Sequence, residues 1–131
     1  MRRLALVLAF AFLATPSAAQ FEAGQIFTAR VVSVTDGDTC NVRRSSGDTV
    51  TIRLHGVDAP ETSHPGGKAA TRAARRYVSG RNVRVEVEDI GRYSRAVART
   101  NVQGGDLSTM LIRGGHGWYY EQYAPNVTEY A

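Results

Sequence analysis

The chain is 131 residues long, 43% hydrophobic and 21% charged, with 16 basic and 12 acidic residues and a formal net charge of +4 at pH 7. A lone cysteine, Cys40, excludes an internal disulfide, so stability has to come from packing or from a bound metal. Lys68 is the only lysine, and the arginines that supply the remaining positive charge suit bidentate contacts to phosphate.

Residues 1–19 read as a leader. Met1-Arg2-Arg3 is a short positive start, Leu4 to Leu13 is an unbroken apolar run, and Ser17-Ala18-Ala19 presents small residues at the positions a signal peptidase reads. The apolar run is too short to cross a bilayer as a lone helix. The expectation is a cleavable signal peptide with cleavage before Gln20. It implies an exported protein, periplasmic or extracellular, with no membrane attachment in the mature form and a single domain over residues 20–131. Loss of Arg2 and Arg3 leaves 14 basic residues against 12 acidic ones, so the mature net charge is +2.

Ile26 to Val34 is β-branched and half alternating, and the Asp-Gly of Thr35-Asp36-Gly37-Asp38 predicts a hairpin into a second strand, Thr39 to Arg43. Within that strand Cys40 reads as a small buried hydrophobe. Ser45-Ser46-Gly47-Asp48 makes the next turn, and Thr49 to Leu54 is a third strand. There Val50, Ile52 and Leu54 share one face and Thr51, Arg53 and His55 the other, so the strand delivers a guanidinium beside Asp58 and Glu61.

Pro60, Pro65, Gly66 and Gly67 interrupt regular structure. From Lys68 to Ser79 the residues Ala69, Ala70, Ala73, Ala74, Tyr77 and Val78 recur at helical spacing, with Arg72, Arg75 and Arg76 opposite and Gly80 as the stop. Val83, Val85 and Val87 alternate with Arg84, Glu86 and Glu88 in a fourth strand, and Ala96 to Val102 is a fifth. Asp106 caps a second helix carrying Leu107, Met110, Leu111 and Ile112, which Gly114 and Gly115 end. Trp118 to Tyr123 fits either strand or loop. This order predicts an α+β, mainly β, protein: a five-stranded Greek-key barrel with two short helices, the OB-fold plan.

If strands two and three pair, Asp36 and Asp38 from the first hairpin meet Asp58 and Glu61 at one end of the barrel. Carboxylates crowded together repel unless a cation joins them. Hard oxygen donors with no Cys or His partner point to Ca²⁺ or Mg²⁺ and away from zinc, and a partly filled shell leaves room for water and a substrate phosphate. Arg53 and a second arginine from Gly91-Arg92-Tyr93-Ser94-Arg95 would neutralise that phosphate, leaving Glu61 to activate water. His55, His64 and His116 lack metal-like spacing and read as structural or solvated.

Three segments resemble the signature of the staphylococcal nuclease (thermonuclease) family: Asp36-Gly37-Asp38-Thr39, the run from Arg53 to Glu61, and Tyr93-Ser94-Arg95-Ala96-Val97-Ala98. The resemblance covers about Gln25 to Ala131. It implies a calcium-dependent endonuclease that cuts DNA and RNA and leaves 3′-phosphate ends. Carried over by position, Asp38 and Asp58 would bind Ca²⁺ through carboxylates and Ala59 through its carbonyl. Arg53 and Arg95 would grip the scissile phosphate, and Glu61 would be the base or order the attacking water. Arg92 and Tyr93 match contacts to a neighbouring phosphate, and Tyr123 matches a tyrosine of the cleft wall. Ser94 stands where the family usually has Gly, and Ala59 where Thr is frequent. The family usually continues through a third helix beyond the segment matching Tyr123 to Asn126, whereas this chain stops at Ala131, so the expectation is either a fragment or a fold lacking that helix, with little core to spare without ligand, and a monomer. The alternatives are a non-catalytic OB-fold nucleic-acid-binding module and a sugar-binding or structural secreted OB domain served by Trp118 and its neighbouring tyrosines.

Overall fold

The computed structural model describes residues 21–131; the leader read over residues 1–19 lies outside the described residues. In chain order the elements are β1 (Ile26–Asp36), β2 (Thr39–Arg43), β3 (Thr49–Leu54), β4 (Val57–Asp58), α1 (Gly67–Val78), β5 (Asn82–Ile90), β6 (Ala96–Val102), β7 (Gly105–Asp106), α2 (Leu107–Arg113) and β8 (Trp118–Tyr119). Single 3₁₀ turns occupy Arg92–Ser94, Glu121–Tyr123 and Thr128–Tyr130. The five expected strands and two expected helices are all present. Two-residue strands add to them, and they settle Trp118 to Tyr123: Trp118 and Tyr119 pair with Asp58 and Val57, and a 3₁₀ turn follows.

The sheet runs β3-β2-β1-β5-β6 and closes through a parallel β3–β6 pairing in which Ile52, Arg53 and Leu54 face Ala96, Val97 and Ala98. Closure into a barrel removes the edges that five open strands would expose. β1 serves two neighbours. Its first half pairs with β5 and its second half with β2, and irregularities in its β2 register, between Val31 and Ser33 and between Val34 and Asp36, let the strand turn the barrel's corner.

Alternation fills the interior. Val50, Ile52 and Leu54 of β3, Val83, Val85 and Val87 of β5, and Ala96 and Ala98 of β6 are all buried, as strand periodicity requires. Cys40 is buried among them, and burial pushes its thiol up to about 12, which leaves it an inert hydrophobe at neutral pH. α1 closes one side of the barrel with Ala70, Ala73, Ala74 and Val78, side chains small enough to bring the helix backbone near β1. α2 adds Leu107 and Leu111, and Asp106 caps it by accepting a hydrogen bond from the Thr109 amide at 2.9 Å.

A second small cluster, Ala124, Val127 and Tyr130, packs against Ile112 and Tyr119. Tyr130 and Ala124 lie against Gly56, a turn residue between β3 and β4, which has φ +75. A side chain there would place Cβ 2.5 Å from the Tyr130 ring and 2.9 Å from Ala124 Cβ. Gly56→Ala therefore meets both left-handed backbone strain and a collision, and the expected loss is about 2–4 kcal/mol. Urea unfolding measures it, and the double variant with Tyr130→Ala should recover part of the collision term. Equal midpoints for Gly56→Ala and the parent chain would remove Tyr130 as the constraint on this turn.

Candidate active site

The site begins at the β1–β2 hairpin. Asp36 and Thr39 pair across it, leaving Gly37 and Asp38 as the turn, and the Asp38 amide donates to Asp36 Oδ1 at 3.2 Å. A Cβ on Gly37 would lie 2.8 Å from Ala59 Cβ and 3.0 Å from Ala70 Cβ, so the absence of a side chain lets the hairpin tip sit between α1 and the segment after β4. That approach presents Asp38 to Ala59. Asp38 Oδ2 accepts from the Ala59 amide at 2.9 Å, and Oδ1 accepts from the Thr39 hydroxyl at 3.1 Å.

Arg53 is carried in by β3, opposite Thr39 in the β2–β3 ladder. Its Nη1 donates to the carbonyls of Val57 at 2.7 Å and Leu54 at 3.0 Å, which fixes the plane of the guanidinium. Its Nη2 lies 3.3 Å from Asp38 Oδ2 and 3.5 Å from Asp58 Oδ1. The two carboxylates thus face each other across one nitrogen. Asp38 is buried and Asp58 exposed, so the cluster opens to solvent on the Asp58 side.

Burial is the largest influence on Asp38. It raises the carboxyl from 3.8 to about 6, with Arg53 and the Ala59 amide pulling the other way and Asp36 adding to the rise. The Arg53 guanidinium therefore does not offset the burial of Asp38, and a further cation beside that carboxylate would favour its charged form. The donors are carboxylate oxygens, the hard set that Ca²⁺ and Mg²⁺ take. Among the described residues no cluster of three or more His, Cys, Asp or Glu forms, so the expected four-carboxylate cluster narrows to two. Asp36 stays beside Asp38 within the hairpin, where its Oδ1 accepts from the Asp38 amide, and it makes no ion pair with Arg53 among the described residues. The residues present fit a divalent cation held by Asp38 and Asp58 with most of its shell left for water or substrate oxygens.

Glu61 stands apart from this pair. Its side chain is exposed and its Oε2 lies 3.9 Å from His64 Nδ1, so His64, read from sequence as structural or solvated, is its ion-pair partner among the described residues. The Glu61 backbone is held more firmly. Its carbonyl accepts from the His64 amide at 2.9 Å, and a Cβ on Gly67 would lie 1.7 Å from that same carbonyl oxygen. Only glycine at the first residue of α1 leaves room for the Glu61 loop. The hydroxyls of Thr62 and Thr71, 3.2 Å apart, add a second tie between loop and helix.

Arg92, Tyr93, Ser94 and Arg95 form the turn into β6. Tyr93 and Ser94 have φ of 60 and 58, so Ser94 adopts a conformation natural to glycine. A non-glycine residue there carries strain of about 1–2 kcal/mol. Arg95 Nε donates to the Arg92 carbonyl at 3.3 Å, folding the side chain against its own turn. Arg95, Val97 and Arg53 lie on the outer face of the barrel, because Arg53 is in register with Val97.

Beside Arg53 a cavity of about 310 Å³ is lined by His55, Gly56, Asp89, Arg92, Tyr120 and Tyr123 among others. Arg92 and Tyr123 of the expected substrate contacts reach it, while Tyr93 projects into solvent at 93% exposure. Tyr120, one of the tyrosines neighbouring Trp118, was not among the expected substrate contacts. It packs edge to face on Tyr123 with ring centroids 4.6 Å apart, and its amide donates to the Gly56 carbonyl, so its place depends on tertiary contacts.

The family model described as staphylococcal nuclease homologue matches residues 51–131. The chain belongs to this family. Similar proteins include an uncharacterized endonuclease of Haemophilus influenzae, 31% identical over 97 residues that cover 74% of this chain and 54% of that protein. Another is an uncharacterized endonuclease of Escherichia coli O157:H7, 37% identical over 95 residues, covering 72% of this chain and 61% of its own. A probable staphylococcal-like nuclease of Oryza sativa is 38% identical over 72 residues, 55% of this chain and 22% of that protein. The chain spans about half to three fifths of the length of the two bacterial relatives. Within the staphylococcal nuclease homologues the matched stretch includes Arg53, Asp58, Ala59, Glu61 and Arg95, whereas Asp38 lies before it and joins the site only through the hairpin contact with Ala59.

The raised Asp38 carboxyl has a consequence for stability. Its folded value of about 6 exceeds the ordinary 3.8, so the folded chain holds the proton more tightly than the unfolded one. In chelator, the contribution of Asp38 to stability should be fully present below about pH 4 and be lost as pH rises through about 6, an effect of up to about 3 kcal/mol. Chemical denaturation across that window checks it, and Asp38→Asn should flatten the slope. A slope unaltered in that variant would assign the effect to another group.

Proposed function

We propose that this chain is a calcium-dependent endonuclease that hydrolyses phosphodiester bonds of DNA and RNA and leaves 3′-phosphate ends. The observation that carries this reading is the Arg53 guanidinium clamped between Asp38 and Asp58 and oriented by two backbone carbonyls, in a chain of the staphylococcal nuclease homologue family. Such a guanidinium is pre-aligned for an anion and requires no reorganisation when one arrives.

Asp38 and Asp58, with the Ala59 carbonyl, would hold the cation, which when bound supplies Lewis-acid polarisation of a phosphoryl oxygen. Arg53 keeps Nη1 on its two carbonyls and turns its Nε–H, which makes no hydrogen bond among the described residues, toward a phosphate oxygen. Arg95 would supply the second guanidinium from the Arg92–Ser94 turn, with Arg92 and Tyr93 on the neighbouring phosphate and Tyr123 on the wall of the cavity. Glu61 would take a proton from the attacking water, and its exposed loop gives it access to solvent. The products separate as a 5′-hydroxyl and a 3′-phosphate. The same reading has the protein exported after loss of residues 1–19, acting outside the cytoplasm as a monomer built on residues 20–131.

The exposed Glu61 side chain, which among the described residues pairs with His64 and not with Arg53, favours one second reading, a nucleic-acid-binding module without catalysis. Cleavage of plasmid and single-stranded substrates with Ca²⁺, with Mg²⁺ and with chelator separates the two. The endonuclease reading expects cutting with Ca²⁺ and 3′-phosphate ends; retention of nucleic acid with no cutting in any condition supports the module.

Single substitutions sharpen the assignment. Glu61→Gln should lower the cleavage rate by roughly two to four powers of ten while calorimetry still detects Ca²⁺ binding. Turnover equal to the parent's would take Glu61 out of the mechanism. Asp58→Ala should abolish activity together with the Ca²⁺ response, and a variant that still responds to Ca²⁺ in the ordinary range would refute the ligand assignment.

A further inference from the structure

Trp118 is the only tryptophan of the sequence, and its side chain lies 64% exposed. β8 fixes where it stands. Trp118 pairs directly with Asp58 and Tyr119 with Val57, and Tyr119 turns inward to meet the Tyr130 ring at 6.0 Å. Directly opposed residues share a face of the sheet, with Cβ atoms about 4.5–5.5 Å apart. The indole therefore rises beside the Asp58 carboxylate, which is itself 3.5 Å from Arg53.

Among the described residues that ring has no ring, cation or hydrogen-bond partner, in contrast to Tyr120 and Tyr123, which pack on each other. It also lies outside the cavity that those tyrosines line. Exposing an indole forgoes the burial that a ring of this size ordinarily gains. Placed next to an anion-handling cluster, a bare aromatic plane has one well-matched occupant: a nucleobase, whose π-face stacks while its phosphate engages the adjacent charges.

We propose that Trp118 is a stacking platform for an unpaired nucleobase of the strand whose phosphate is held at Arg53. This rests on the nucleolytic reading of the site. It assigns a second base position, separate from the tyrosine-lined cavity, and it predicts a preference for single-stranded substrate, because a base inside a duplex has no free face to offer.

As the sole tryptophan, Trp118 reports on itself through its fluorescence. In chelator, titration with a single-stranded oligodeoxynucleotide should quench the emission, and a strand of equal length made of abasic sites should not. Trp118→Ala should weaken binding of the base-bearing strand roughly five- to a hundredfold, while Trp118→Phe recovers most of the loss. The abasic strand should bind the parent and Trp118→Ala alike, which also shows that the variant is folded. Equal quenching and equal affinity for the two strands would overturn the proposal, as would stronger quenching by a neutral oligosaccharide. Parallel assays with Ca²⁺ keep the readings distinct. Cleavage without base-dependent quenching sinks the platform alone, and base-dependent quenching without cleavage sinks the nuclease reading alone.

Discussion

The Arg53 guanidinium is the interaction on which the remainder of this structure depends. It joins the β1–β2 hairpin through Asp38, the β3–β4 turn through two carbonyls, and β4 through Asp58. A charge so placed has to be introduced by a strand whose neighbours are fixed, and β3 meets that requirement by pairing with β2 on one side and β6 on the other. The barrel is in this sense the support for one side chain. A guanidinium with freely rotating partners would meet a phosphate only after losing much conformational entropy.

The surroundings of Arg53 are assembled by close approaches that only small residues permit. Gly37 admits the hairpin tip between Ala59 and Ala70, and Gly67 admits the Glu61 carbonyl at the start of α1. The alanine face of α1 works the same way, since its short side chains bring the helix down on β1. These contacts leave no room for a methyl group, so they transmit position rigidly from helix to hairpin to site.

Electrostatics and packing oppose one another at Asp38. Packing buries a carboxylate that a single shared arginine leaves short of compensation, which is why its proton is held up to about pH 6. Sites that handle charge commonly store such an imbalance until a ligand relieves it. The open side of the cluster, at Asp58 and Trp118, carries the complementary feature: polar and aromatic groups facing solvent where apolar burial would have been more stable.

Much of this was legible in the chain itself. Period-two alternation marked β3 and β5, Asp-Gly marked the hairpin, and Asp106 marked the start of α2, because those signals are local and depend on residues within a few positions of one another. The residue types at the site, Asp38, Arg53, Asp58 and Glu61 with Arg95, were legible for the same reason. Tertiary structure alone decided which of them meet. Asp38 reaches Ala59 across 21 positions of chain, the pair at Arg53 excludes Asp36 and Glu61, and the β8 pairing sets Trp118 beside Asp58. Short strands such as β4 and β8 have too few residues to show a period, and side-chain convergence depends on how strands close into a barrel, which is a property of the whole fold.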